Sequence, residues 1–584
     1  MKKNAKRIMS VLLAVTVAFG VSVAATGCKS GSVNDSSQNT RRDNKKYDAT
    51  KTQINVQFYQ AGYGEDWIYD YEEKFEEAYK DYSFEEGKTG VQVWHNGDMS
   101  TWTTTKMNSS KYDIFFFENE RYYNFLDGTL EDLTDIVKEN IPGENESIED
   151  KLNDQQKDYF AVKSNASSDG KYYALPHYYG TYGIVYNVEL FDKMNYYVNM
   201  DGKIMVDRGV TNKVKSNGPD GKTGVIDGVD YSLDDGLPAT YEQFYDLCRV
   251  INSTNNTPLC WPGKYYEHHL LNLYDNLVAG YEGKEQMLLN YGFNEGVDAA
   301  SAPKATDLIN VDNNGNITVD SEPTAITTAN GYELARQAGK YYAYGFLSEI
   351  MKPQNRWYTL PGSFSGSYSH TDNQRDFLMF GTNLSNTKKT TAMLVDGPWW
   401  QNEAKTVFAD MVKKGGEQYS ATSRKFGWMP LPHATEEKVG DKTVYSDYLK
   451  TFVCMKSGLS SGVKEAAKKF LQFICSDEML VSFTKATGTL RAYDYEVSDS
   501  DMNELSDFSK SVINYVKRSD VIYKFSSGDY YNRNSDKLNY DSVYQTAIGG
   551  KIAKNPAYAI HENNTGSAAW FKAYYSTMKS NWTK

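Results

Sequence analysis

Three residue patterns in this sequence could carry chemistry. Gly458-Leu-Ser-Ser-Gly462 fits the G-x-S-x-G spacing, with Ser460 at its centre between a strand-like run and a helix-like run. A serine on such a turn could act as a nucleophile with His561 as its base, but a Ser- and Gly-rich turn also starts a helix for capping reasons alone. Asn310, Asp312, Asn314 and Gly315 match the early positions of an EF-hand loop. The twelfth position needs a bidentate carboxylate and holds Ser321, with Glu322 one residue late, and a tight Asn-Gly turn accounts for the same residues. The third pattern is aromatic. Tyr63, Trp67, Phe117, Tyr178, Tyr179, Trp261, Trp399 and Trp400 each lie near a predicted strand end or glycine turn. Rings there could stack on the apolar faces of sugars while nearby Asp, Glu and Arg bond the hydroxyls, and core packing is the competing use of any single ring. There is no Walker loop, no GxGxxG and no HExxH, so no cofactor and no metal is expected. Paired carboxylates for glycoside hydrolysis stay open, because their spacing is spatial.

The elements that must hold these residues alternate between two periods. INVQFYQAGYG (54–64) reads as a strand and a glycine turn, and Trp67, Ile68, Tyr71, Phe75, Ala78 and Tyr82 then recur at helical spacing. VQVWH (91–95) and the apolar run KYDIFFF (111–117) read as strands. ALPHYYGTYGIVYNVELF (174–191) is a further strand region, followed by a Gly-, Asp-, Asn- and Lys-rich insert over about 195–237. Thr240 and Gln243 have capping-box spacing at the start of a helix whose apolar face carries Phe244, Leu247, Cys248 and Ile251. In TTAMLVDGPWWQNEA (390–404) a buried strand ends at Asp396-Gly397-Pro398, and two tryptophans follow. YLKTFVCM (448–455) is a strand and VKEAAKKFLQFIC (463–475) an amphipathic helix. The class is α/β.

The totals set the scale. A chain of 584 residues is too long for one core, so two or more lobes are expected. A net charge of −13 excludes a nucleic-acid partner, which would need clustered Lys and Arg. Residues 1–28 read as a signal peptide: Lys2, Lys3, Lys6 and Arg7 precede an apolar stretch, and Ala25-Thr26-Gly27-Cys28 resembles a lipobox whose Cys28 becomes the lipidated N-terminus. Residues 29–52 read as a solvated tether. No other segment approaches the roughly 20 apolar residues needed to span a bilayer. Cys248, Cys260, Cys454 and Cys475 lack metal spacing and sit in apolar contexts; buried thiols are expected, with Cys248–Cys260 and Cys454–Cys475 open as disulfides.

Three stretches of the mature chain resemble the extracellular solute-binding proteins of ABC importers, in the carbohydrate class typified by maltose-binding protein. DIFFFENERY (113–122) is similar to that family's strand and loop, which places Phe117, Glu120 and Arg121 at ligand-contacting positions. PHYYGTYGIVYN (176–187) is similar to its first hinge crossover, although Gly180 stands where the maltose-binding member has a ligand-binding Glu, which argues against maltose. AMLVDGPWW is similar to its A-M-x-x-x-G-P-W motif, so Trp399 inherits sugar stacking beside Asp396, whereas Trp400 packs in the lobe.

The resemblance implies two discontinuous lobes, 53–177 with 433–486 and 182–429 with 490–584, joined by hinges near 177–182, 429–433 and 486–490. It implies a monomer, tethered through Cys28 to the outer face of the cytoplasmic membrane as in Gram-positive bacteria. The monomer would capture an oligosaccharide between its lobes and present the closed form to permease subunits, with no bond made or broken. Trp261 and Tyr63 extend the row of rings beyond Phe117 and Trp399, Trp67, Tyr178 and Tyr179 are further candidate ligand contacts, and Arg491 is a candidate polar contact. Two other readings stay in view: a lipid-anchored secreted hydrolase, using Ser460 or a carboxylate pair, and a glycan-capture lipoprotein without a transporter.

Overall fold

Short apolar runs alternating with amphipathic helices build two separate sheets. The computed structural model describes residues 45–582 apart from 165–166, 228, 293–295, 353–357, 448, 524–533 and 535–545; Cys28 lies outside the described residues. In chain order the elements that position the site are β1 (Thr52–Phe58), α1 (Asp66–Ala78), β2 (Val91–Gly97), β3 (Ile114–Phe117), β4 (Ala174–Pro176), β5 (Gly183–Asn187), α2 (Tyr241–Ser253), β6 (Thr257–Cys260), α3 (Tyr266–Leu288), β7 (Thr391–Asp396), β8 (Phe426–Met429), β9 (Val444–Asp447), β10 (Phe452–Met455), α4 (Ser461–Phe473), α5 (Asp477–Thr487), α6 (Asp507–Arg518) and β11 (Asp520–Tyr523).

The first sheet has the order β2-β1-β3-β10-β4 and the second β6-β7-β5-β8. β1 runs parallel to β2 and β3, whereas β10 enters antiparallel between β3 and β4. In the second sheet β6 and β7 are parallel, and β5 runs against both β7 and β8. β9 and β11 pair as a parallel ribbon outside both sheets. Every residue of β3 and β7 is buried, as expected of strands covered on both faces. α4 turns Ala466, Ala467, Phe470 and Leu471 inward at helical spacing. At the start of α2 the Thr240 hydroxyl accepts the Gln243 N–H, and the Gln243 side chain accepts the N–H of Ala239 in return. All four cysteines of the described residues are buried free thiols, so neither disulfide forms.

The chain changes lobes three times. The first crossing lies between β4 and β5. The second, expected at 429–433, lies between β9 and β10. His433 N–H still bonds Ala239 and Ser446 N–H still bonds Asn276, both in the second lobe. Leu449 then accepts the Asn119 N–H of the first lobe and donates to Gly180. The third crossing, expected at 486–490, lies near 505. Lys485 pairs with Asp501 and Glu504 and so holds that segment on α5, and Ser506 is the residue that bonds Gln401 of the second lobe. Proline punctuation marks the earlier positions in the sequence, but local hydrogen bonds keep the chain in its lobe beyond them.

Arg491 corrects a second expectation. Its side chain is wholly buried in the first lobe and not at a ligand surface. Nε donates to His177 O at 3.0 Å, Nη2 to Pro176 O at 3.1 Å, and Nη1 to Ile474 O and the Tyr71 hydroxyl, both at 3.3 Å. The guanidinium thus ties the start of the first crossing to α1 and the end of α4. Arg491→Ala leaves these acceptors buried and unmet, and should lower stability by about 3 kcal/mol or more, read from the urea unfolding midpoint. An unchanged midpoint would contradict this role.

Candidate ligand-binding site

β7 carries the site residues of the second lobe because its apolar run ends at Asp396, beyond which Gly397-Pro398 cannot continue a strand. The Gly397 N–H donates to Asp396 Oδ1 at 2.8 Å. The Trp399 ring then reaches toward the first lobe and lies against the backbone of Gly62. A Cβ at Gly62 would sit 2.6 Å from the ring, and one at Gly397 would sit 2.3 Å from it. Trp399 therefore occupies a slot that only two glycines leave open. Its ring meets Tyr63 edge-on at 6.3 Å and Tyr182 at 5.0 Å. Trp400 points the other way, wholly buried among Phe377, Phe408, Phe426 and Phe508. The lobes also touch through Lys405 and Asp66 at 2.7 Å, and through the Asn402 amide and Thr487 O at 2.5 Å. Gly180 belongs to the same closure, since a Cβ there would meet Leu449 at 2.3 Å.

Four carboxyls gather around this slot: Glu118 just after β3, Asp396 at the end of β7, Asp447 at the end of β9, and Glu403. The Tyr178 hydroxyl donates to Glu118, and Tyr63 packs edge-on to Tyr178 at 4.7 Å. Burial, with Glu403 and Asp447 as like-charged neighbours, holds Glu118 well above the ordinary carboxylate range. Burial and then Glu403 do the same to Asp396. Asp447 is raised by burial to about 7, although the Lys450 N–H bonds its Oδ1 at 3.1 Å. Asp396 Oδ2 and Asp447 Oδ2 are buried with no hydrogen-bond partner among the described residues. The arrangement thus offers rings and unmet carboxyl oxygens, which suits a hydroxyl-rich ligand.

The other sequence-derived candidates fall into two groups. Tyr63, Tyr178, Asp396 and Trp399 come together around the slot. Glu120 and Arg121 follow β3 on the adjoining loop, where Glu120 accepts the Trp102 N–H at 2.9 Å. Tyr179 turns aside to the first lobe, its hydroxyl accepting from Gln156 at 3.2 Å. Three rings are core residues and not part of a stacking row. Trp67 is buried against Phe58, Tyr71, Phe116 and Phe483. Phe117 stacks on Phe115 and Phe125. Trp261 is wholly buried beside Phe364 in the second lobe. The reason is shared: a large ring at a strand end, as for Phe117 and Trp261, or in a helix that covers the sheet, as for Trp67, serves the core whenever its side is covered.

Residues that sequence reasoning passed over are Glu118, Tyr182, Glu403 and Asp447. Glu118 carried a signal, as the first polar residue after IFFF at a strand's carboxyl end. Ser460 precedes α4 in the first lobe, whereas His561 stacks on Phe364 in the second, so they form no nucleophile–base pair. Asp312 accepts from the Asn314 and Asn316 N–H groups in a hairpin turn, and among the described residues no cluster of three or more His, Cys, Asp or Glu could hold a metal.

The raised Asp447 gives a pH test. An unfolded chain releases this proton near 3.8 and the folded chain only near 7, so the folded state loses stability as pH rises through that interval. Asp447→Asn should flatten the decline between pH ~4 and ~7 by an amount on the order of a few kcal/mol, read from urea midpoints across the range. Equal slopes in both proteins would contradict it.

Comparison with known proteins agrees with this two-lobed plan. A chitin oligosaccharide binding protein shares the fold at a TM-score of 0.53 and 13% identity, covering 92% of this chain and 100% of that one. Maltose-bound MalE3 of T. maritima aligns at a TM-score of 0.49 and 14% identity over 91% of this chain and 99% of that one. The bacterial solute receptor AcbH, described as exclusive for β-D-galactopyranose, aligns at 0.48 and 14% over 90% and 99%. No curated protein matches the sequence. The family described as bacterial extracellular solute-binding protein matches residues 61–480. With most of its length inside that match, the protein belongs to the bacterial extracellular solute-binding proteins, which bind a solute and do not transform it.

Proposed function

We propose that this chain captures an oligosaccharide between its lobes and delivers it to the permease subunits of an ABC importer, working as a monomer lipid-anchored through Cys28 on the outer face of the cytoplasmic membrane. The observation that carries this reading is the Trp399 ring seated between Gly62 and Gly397 amid the carboxyls of Asp396, Asp447 and Glu118. In the closed arrangement the ring is edge-on to Tyr63 and Tyr182. Swinging the lobes apart frees its face for a sugar ring. The sugar's hydroxyls then supply the partners that Asp396 Oδ2 and Asp447 Oδ2 lack. Closure over the ligand follows only if these contacts favour the closed state over the open one, and the closed form is what a permease would recognise. The families of sugar bound by the structural relatives support a carbohydrate over a peptide, and the mixed lining of rings and carboxyls points the same way.

A micromolar complex needs about −8 kcal/mol, within reach of one or two stacked rings and a few charge-assisted hydrogen bonds. Isothermal titration calorimetry against short plant, starch and chitin oligosaccharides should find one that binds saturably and is recovered intact. Trp399→Ala should weaken that binding by roughly 30- to 150-fold, the loss of about 2–3 kcal/mol expected of a central aromatic anchor, with unfolding nearly unchanged. Unchanged affinity would remove Trp399 from the site. Stronger binding to long insoluble polymer than to short oligomers would favour glycan capture without transport.

A further inference from the structure

The insert, which the interlobe site does not use, helps to wall a cavity next to the end of β8. This cavity has a volume of about 310 Å³ and is walled by Asp220, Lys222, Tyr231 and Asp234 of the insert, by Pro430 and 440–443, and by the end of α6. The insert is fixed there by bonds to both neighbours. The Gly440 N–H donates to Pro219 O at 3.0 Å, and Arg518 Nη1 donates to Asp230 O at 3.2 Å and to Asp220 Oδ2 at 3.4 Å. The Asp220 N–H donates to Asp234 Oδ2 at 3.1 Å.

Three polar atoms are nevertheless left over. Asp234 Oδ1, Arg518 Nη2 and the Tyr515 hydroxyl are all buried without a hydrogen-bond partner among the described residues, and the Asp234 side chain is 0% exposed. An unmet acceptor, an unmet cationic donor and an unmet hydroxyl thus belong to three residues of one cavity's lining and lie buried in its wall. Aromatic surface stands beside them: the Arg518 guanidinium lies 5.1 Å from the Tyr231 ring and 5.0 Å from that of Tyr515, and Lys222 Nζ is 4.7 Å over Tyr231.

The charges decide the ligand class. The lining holds three acids (Asp220, Asp234, Asp441) and three bases (Lys222, Lys442, Arg518). An anion placed on Arg518 would sit beside Asp234, and a cation placed on Asp234 would sit beside Arg518. A neutral hydroxyl both donates and accepts, and so serves either without repulsion. Burial and the neighbouring Asp220 raise the Asp234 carboxyl, so it can give as well as take a hydrogen bond. A volume near the lower end of ligand pockets suits a single ring and not an oligomer. We propose that this cavity is a second ligand site, separate from the interlobe slot, which takes a neutral polyhydroxylated molecule of about one sugar ring.

Saturation-transfer NMR on the full chain tests this with D-glucose, D-galactose and D-mannose as probes. Trp399→Ala removes the interlobe contact, and in that variant at least one probe should still receive saturation, with a millimolar Kd. Adding Tyr231→Ala should weaken it at least tenfold. Asp234→Asn is the smaller change that serves if Tyr231→Ala does not fold, and it should weaken the probe in the same direction. No transfer in the Trp399→Ala chain, or transfer that neither second change alters, overturns the proposal. Tighter binding of glucuronate or glucosamine than of glucose overturns the neutral class. Because the two sites are read through different residues, failure here leaves the interlobe reading standing, and failure of that reading leaves this one.

Discussion

Closure of the two lobes depends on how near a tryptophan ring can come to a bare backbone. Trp399 fits between the lobes because Gly62 and Gly397 carry no Cβ, and any side chain at either position would have to displace the ring. Much else in the structure serves that contact. β7 ends where Gly397 and Pro398 stop it, which fixes the height at which Trp399 leaves the second lobe. Trp400 anchors the same turn from below, in the core. Gly180 and Leu449 let two crossing segments lie against each other, so the lobes share a narrow waist. Arg491 ties the first of these crossings to the first lobe.

The contact also has a cost, and the cost suggests the function. Closing the slot buries Glu118, Asp396 and Asp447, and burial drives each toward its protonated form. The closed state is thus built from apolar fit and opposed by buried carboxyls. A hydroxyl-rich ligand reverses the second contribution by bonding those carboxyls. That asymmetry is what a receptor needs, since a ligand can shift the balance of states only by contacts it makes in one of them.

Much of the frame was legible in the sequence. IFFF and TAMLVD announce buried strands by their unbroken apolar runs, and Gly397-Pro398 announces the turn that sets Trp399 apart from Trp400. The α/β class follows from the alternation of periods, and the family from three motifs. The uses of individual rings were less legible, because burial is a property of what covers a sheet. Trp261 sits at a strand end as Trp399 does and Trp67 in the first turn of α1, yet the surrounding chain closes over both. The crossings between β9 and β10 and near 505 were hidden for a similar reason: they depend on long-range bonds such as Ser446 to Asn276 and Lys485 to Asp501, which no local pattern encodes. Glu118 and Asp447 became visible as one cluster only once the fold brought the ends of β3 and β9 to the same slot.

The most direct test of the account is the structure of the chain with a bound oligosaccharide. The account predicts a sugar ring lying face-on to Trp399, with hydroxyls within hydrogen-bond distance of Asp396 and Asp447 and the Gly62 backbone no longer against the indole. An oligosaccharide bound elsewhere, with Trp399 still in its slot between Gly62 and Gly397, would contradict it.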